Sequence, residues 1–275
     1  MRIDSHTHAH GNPAEVKDPR AYRTLCEKGG IDGIVLIGYP GEGNNEAIND
    51  AIFAAVKAMG DFVIPVPVVN MDQGGPDQVH RLFDRGAKGI KFIRPDHPYR
   101  DQRYYPLYEA VKAHGGVAVF HTGYLMHTPD YDARFRAGMD DMRAAHIDTI
   151  LRWVPHLKVL MSHFGNPYWD ECWKVMISHP TVFADFSGGT AIHRSMLFWR
   201  EMFAPNGRLA EASLAKLCFG TDLGYFHAGG ALDDSLPQYV GFYEQLLEQV
   251  GAPAALREKV NSGNILALFG HAQAH

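Results

Sequence analysis

The chain has 275 residues, 46% hydrophobic and 21% charged, with a formal net charge of -5 and a pI near 6.3. This is an ordinary globular composition with ample material for a core, and it lacks the clusters of Lys and Arg that nucleic-acid binding requires. No apolar run approaches the roughly 20 residues of a membrane span, MRIDSHTH has no apolar signal-peptide core, and Cys26, Cys172 and Cys218 form no C-x-x-C pair, so a cytoplasmic protein with free thiols is expected.

Short apolar runs recur along the chain, the first around Ile3. The next are Gly33–Gly38, Phe62–Val69 and Gly89–Ile93, then Gly116–His121, Lys158–His163, Thr181–Phe186 and Leu217–Asp222. They are mostly apolar on both faces, as buried parallel strands are. The intervening segments read as helices, for example Asn45–Met59, Tyr105–His114 and Ile147–Val154. Eight such alternations predict an α/β fold, a single TIM-type (β/α)8 barrel spanning residues 1–275, close to the usual length of about 250 residues. An open doubly wound sheet is the alternative. It usually carries a Gly-rich phosphate loop after its first strand, where this chain has SHTHAHGNP. The long connections (Thr122–Arg143, Gly188–Arg208 and Leu223–Leu236) follow the fifth, seventh and eighth strands, at the end where barrels build active sites.

Polar residues mark that same end. His6 and His8 close the first run, and Lys91 lies in the fourth. His121 ends the fifth, His163 the sixth and Asp222 the eighth. Residues i and i+2 of a strand share a face, so His6 and His8 can grip one ion together. Zn2+ accepts N and O donors tetrahedrally, and His121 and Asp222 can complete the set while leaving room for water. Asp4 is a candidate for orienting the site through hydrogen bonds. His10 forms a second H-x-H with His8 and is given a minor role. A lone strand-end His is more often core or surface; the joint pattern carries the reading.

The motifs IDSHTH (Ile3–His8), GIKF (Gly89–Phe92), VFHTG (Val119–Gly123), VLMSHFG (Val159–Gly165), DFSG (Asp185–Gly188), FGTD (Phe219–Asp222) and SGNILALFG (Ser262–Gly270) stand in one order along nearly the whole chain. YPLYEAVKAHG (Tyr105–Gly115) joins them as the helix before the fifth strand. Together they resemble the amidohydrolase superfamily, specifically the amidohydrolase-2 branch related to aminocarboxymuconate semialdehyde decarboxylase. The resemblance implies His6, His8, His121 and Asp222 as metal ligands and His163 as a catalytic residue beside them. Lys91 matches a position that is carboxylated and bridges two ions in two-metal members. The GIKF context resembles the one-metal branch, so one divalent ion is expected, Zn2+ or alternatively Mn2+, with two if Lys91 is carboxylated.

The implied reaction is hydrolysis of a small, carboxylate-bearing ester, lactone or amide by metal-activated water, with Asp222 and His163 moving protons. Non-oxidative decarboxylation or hydration of an unsaturated or aromatic acid is the alternative on the same site. A metal-independent lactonase on this scaffold, and a binding protein with a degraded site, are the readings from other classes. The complete ligand set argues against the last. Arg94, His193 and Arg194 are candidates for pairing with a substrate carboxylate. Tyr124, His127, Tyr168, Trp169, Tyr225 and His227 are candidates for an aromatic wall. The expected partner is a small molecule. Members of the superfamily are often dimers, and MLFWREMF (Met196–Phe203) suits either a partner surface or a helix packed on the barrel.

Overall fold

The computed structural model describes residues 1–9, 19–39, 45–125, 136–188, 191–192, 194–224 and 231–270. Strands and helices alternate from the start: β1 (Ile3–Ala9), α1 (Pro19–Lys28), β2 (Gly33–Gly38), α2 (Asn45–Met59), β3 (Val63–Val66), α3 (Gly75–Asp84), β4 (Gly89–Phe92) and α4 (Tyr105–Ala113). The second half continues with β5 (Val117–His121), α5 (Ala145–Trp153), β6 (Lys158–Ser162), α6 (Trp169–Ser178), β7 (Val182–Asp185), α7 (Met196–Phe203), α8 (Glu211–Leu214) and β8 (Leu217–Cys218). A two-residue strand β9 (Leu223–Gly224) precedes α9 (Ala231–Gln249), α10 (Ala254–Glu258) and α11 (Asn264–Phe269).

All strand pairs are parallel, in two arcs ordered β3-β2-β1-β9 and β4-β5-β6-β7-β8. Hydrogen bonds join the arcs at both seams. On one side Lys88 and Lys91 donate their amides to the carbonyls of Pro65 and Pro67, at 2.9 and 2.8 Å. On the other, Ser5 donates to Phe219 and Asp222 to His6, at 2.8 and 2.7 Å. The result is the closed barrel expected from the strand rhythm rather than the open sheet. β3 and β8 are shorter than their apolar runs. Pro65 and Pro67 have no amide proton to offer a ladder, and beyond Val66 the chain is tied instead by Asn49 of α2. The Asn49 amide donates to the Val68 carbonyl and accepts from its amide, both at 2.9 Å.

The core has two layers. Val35, Ile37, Val117, Val119 and Leu160 fill the barrel interior, where Leu268 and Phe269 of α11 join them. The alternate residues, such as Ile34, Leu36, Ala118, Phe120 and Met161, pack outward against the helices. α7 belongs to this outer layer. Trp199 and Phe203 are fully buried against Phe164 and Phe186, leaving Leu197 exposed. The three cysteines are buried and unpaired. Among the described residues no helix is long and apolar enough to cross a membrane.

The two-layer alternation places the site. On β5 it takes Val117 and Val119 inward and His121 after them. On β4 it brings Lys91 inside. β1 requires one more device. Ile3 pairs with Gly33 and Asp4 with Ile34, yet Thr7 pairs with Leu36 and His8 with Ile37. The extra residue is a β-bulge that changes the phase of the strand. Ile3 starts inward, and after the bulge His6 and His8 are the inward residues. Asp4 is turned toward β8.

Candidate metal centre

The His6 and His8 Nε2 atoms lie 3.0 Å apart. Asp222 Oδ1 is 2.9 Å from His8 Nε2 and 3.5 Å from His6 Nε2. The outer nitrogen of each ring is held from behind. His8 Nδ1 donates to the Ile37 carbonyl at 3.2 Å. His6 Nδ1 faces Asp185 Oδ2 at 3.3 Å and Ser187 Oγ at 3.1 Å. A carbonyl or carboxylate only accepts, so these partners keep the proton on Nδ1 and turn the Nε2 lone pairs inward. Two imidazole lone pairs and a carboxylate oxygen facing one another at this range repel unless a cation lies between them. Three such donors, drawn from β1 and the segment after β8, fit a divalent ion and leave room for an exchangeable position. They form a site for a divalent metal.

A second pair of rings adjoins the first. His163 Nε2 is 3.1 Å from His121 Nδ1, and the His163 and His6 ring centroids are 4.8 Å apart. Their outer nitrogens donate to the Ser187 carbonyl at 2.9 Å and the Tyr124 carbonyl at 3.1 Å. His121 therefore reaches the cluster through His163, outside the tight triad of His6, His8 and Asp222. His6, His163 and Asp185 make a second close group that shares His6 with the first.

Burial sets the charge of these rings. It lowers the His8 pKa to about 3, with the Lys91 charge adding to the effect. It takes His121 well below the usual imidazole range, with His163 adding to it, and it also lowers His163. All three are neutral at pH 7, the state His8 needs to hold a metal. Lys91 is fully buried and donates to Ser162 Oγ at 3.1 Å. Burial brings its pKa down to about 8, opposed by the nearby charges of Asp222 and Asp185. Asp4 is pushed up to about 7 by burial. It bonds no ring. It accepts from the His6 amide and from the amide and hydroxyl of Thr221, so it pins the bulge of β1 to the segment that carries Asp222.

Arg94, His163 and Asp222 follow β4, β6 and β8, and all three have left-handed backbones, with φ of 56°, 63° and 71°. Non-glycine residues rarely adopt this conformation, and such residues cluster at functional sites, although His156, Phe164 and Asn206 adopt it here as well. Gly188 has φ of 79°, and a Cβ there would lie 3.0 Å from His163 Nδ1 and 3.4 Å from Asp222 Oδ2. Glycine thus lets the chain after β7 pass against both side chains.

Arg94 is buried, with its guanidinium 4.7 Å above the Tyr39 ring and hydrogen-bonded to the Tyr39 hydroxyl. Tyr39 in turn meets His8 edge-on at 5.4 Å. Arg94 is thereby placed one ring away from the triad. Arg194 is not brought in; it stacks on Trp169 at 4.2 Å, in the outer aromatic layer. Tyr168 is covered by Arg143, while Tyr124 stands half-exposed beside His121. His10, His127, His193, Tyr225 and His227 lie outside the described residues. Asp185, Ser187 and Tyr39 received no site role from sequence, although the DFSG motif contains the first two. Tyr39 directly follows the β2 run, and Asp185 and Ser187 are an i, i+2 pair at the end of β7, so the strand-end rule applied to His6 and His8 points to all three.

Several solved structures share this architecture. An uncharacterised TIM-barrel protein of Bordetella bronchiseptica is 18% identical, covering 98% of this chain and 99% of its own, with a TM-score of 0.66. The 5-carboxyvanillate decarboxylase LigW of Sphingomonas paucimobilis is 12% identical, covering 98% and 99%, with a TM-score of 0.68. A second 5-carboxyvanillate decarboxylase, from Novosphingobium aromaticivorans, was solved with bound manganese; it is 14% identical, covering 98% and 97%, with a TM-score of 0.64. At these identities the likeness is one of fold. No curated protein matches the chain. A family model described as Amidohydrolase (Amidohydro_2) matches residues 3–271, from the first strand to just past the last helix. With the barrel and the His-His-Asp triad at its mouth, this places the chain in the amidohydrolase-2 family.

Proposed function

We propose that this chain is a metal-dependent lyase that removes a carboxyl group, without oxidation, from a small aromatic or unsaturated acid. The observation that carries this reading is the convergence of His6 Nε2, His8 Nε2 and Asp222 Oδ1 with the buried Arg94–Tyr39 pair beside it. Two proteins of similar fold that are named as decarboxylases support it.

His6 and His8 would hold the ion through Nε2 and Asp222 through Oδ1. When bound, the ion supplies Lewis-acid polarisation of a substrate oxygen. Arg94 orients the acid by charge-assisted hydrogen bonds. Loss of carbon dioxide breaks a C–C bond and leaves its electron pair on carbon, which must then take a proton. The Asp222 side chain is 30% exposed while His6 and His8 are sealed, so Asp222 is the group able to take a proton from a substrate hydroxyl or water and pass it to that carbon. Its Oδ2, on the Gly188 side and not the oxygen that meets His6 and His8, is the atom that moves it. His163 Nε2, whose proton is held on Nδ1 by the Ser187 carbonyl, accepts a hydrogen bond from a substrate hydroxyl.

Hydrolysis of a lactone, ester or amide draws on the same groups, and the family's description supports it as the second reading. One panel separates the two. Metal-free full-length chain is reloaded with Zn2+ or Mn2+ and offered hydroxybenzoates, unsaturated dicarboxylic acids and lactones. Metal-dependent release of carbon dioxide is the expected result. Lactone opening without carbon dioxide would replace lyase with hydrolase, and turnover unaffected by chelation would remove the metal from the reaction.

A further inference from the structure

Behind the His6 and His163 rings, on the side away from the triad, lies a compact polar group that the metal set does not account for. Ser187 Oγ is 3.1 Å from His6 Nδ1 and 3.0 Å from His163 Nδ1, and it donates to Asp185 Oδ1. Asp185 is fully buried. Its Oδ1 also accepts from the amides of His163 and Ser187, both at 3.0 Å, and its Oδ2 faces His6 Nδ1 at 3.3 Å, with Ser5 Oγ at 3.5 Å. The hydroxyl has one proton, and that proton goes to Asp185. Toward both rings Ser187 Oγ is therefore an acceptor.

We propose that Asp185 and Ser187 form a positioning pair that fixes the tautomers of His6 and His163 together, so that both Nε2 lone pairs, that of His6 toward His8 and Asp222 and that of His163 toward His121, are set before any ion arrives. The pair acts on catalysis only through the rings. Its link to a reaction rests on the function proposed above; its effect on the tautomers does not.

The geometry makes one substitution decisive. In Asp185→Asn the amide oxygen must take the Oδ1 place, because two backbone N–H groups and a hydroxyl donate there. The NH2 group then faces His6 Nδ1 and donates to it. His6 must accept at Nδ1 and carry its proton on Nε2, pointing it at His8 Nε2 and Asp222. The side chain is isosteric, so the fold has little reason to change, yet the lone pair that should hold the ion is gone.

The test uses full-length chain labelled with 15N in its histidines, with His6 and His163 assigned from His6→Gln and His163→Gln. In metal-free wild type, both rings should show a protonated Nδ1 and an unprotonated Nε2. Asp185→Asn should invert this at His6 and weaken Zn2+ binding, read by chelator competition, by about 10–100-fold, the range for loss of a partner behind a ligand. Wild-type His6 with its proton on Nε2, or an Asp185→Asn protein with unchanged tautomer and Zn2+ affinity, would overturn the proposal. The wild-type spectrum decides even if the variant does not fold. If the tautomers are as expected but wild type binds no Zn2+ or Mn2+, the proposed function fails and the positioning pair stands.

Discussion

At the residue scale the site depends on side chains that must be neutral, aimed and partly sealed. Asp222 alone of the triad is partly exposed. Asp222→Asn keeps the shape and removes the negative ligand and, in the proposed reaction, the proton carrier. Turnover should fall by at least about 100-fold, the lower end of what general acid–base groups contribute, and steady-state kinetics on metal-reloaded protein would read it. Arg94 is a different case. It is stacked on Tyr39 and spaced from His8 by that ring, and the proposed function gives it the role of binding the acid. Arg94→Ala should raise KM about 10–100-fold, in keeping with the few kcal/mol lost when a buried charge pair is truncated. An equal fall in kcat would move Arg94 into the chemical step.

At the element scale, short strands are held by side chains from their helices. Asn49 replaces the ladder that Pro65 and Pro67 deny the chain beyond β3. Asn49→Ala would leave the Val68 amide and carbonyl without that partner in the interior, at about 1–3 kcal/mol for each group. Urea unfolding would measure it, and a loss below about 0.5 kcal/mol would mean that water reaches Val68 instead. The elements also show what was legible beforehand. Strand positions were readable because buried parallel strands are apolar on both faces, and their polar ends therefore stand out. That exposed His6, His8, His121, His163 and Asp222. It did not expose the bulge in β1, which no residue type announces, and simple alternation would have left Asp4 inward with His6 and His8. Asp185 and Ser187 escaped because Asp and Ser near a strand end look like ordinary turn residues. Tyr39 escaped because an aromatic at the end of an apolar run passes for core.

At the scale of the whole molecule, the buried neutral histidines make stability depend on pH. His8 has a folded pKa near 3 against an ordinary value of 6.5, and burial lowers His121 and His163 in the same direction. Between those limits the unfolded chain binds protons that the folded chain does not. Folded stability is therefore lost as pH falls from 6.5 toward 3. Asp4 works the other way: raised from 3.8 to about 7, it keeps a proton that the unfolded chain releases, and it favours the fold at the acid end of that window. Three histidines outweigh one carboxyl. The metal-free chain should lose stability as pH falls from 6.5 toward 4, as followed by denaturant titration at several pH values. His8→Asn should flatten the slope.

The seam between β1 and the segment after β8 has a consequence for how the protein comes to be. Asp4 and Thr221 touch across 217 residues of sequence, and the triad takes two ligands from one side of that gap and one from the other. Contacts so distant along the chain are slow to form, because a long loop must be closed before they give anything back. During synthesis His6 and His8 emerge well before Asp222 and wait without their carboxylate, the same long stretch of chain that separates Asp4 from Thr221 having to follow first. An ion that needs all three ligands binds the closed barrel and not its growing precursor, so its free energy acts on the last event of folding. Loading with metal thus becomes a report that the ring has shut. A nascent chain arrested anywhere before Asp222 should be blind to zinc.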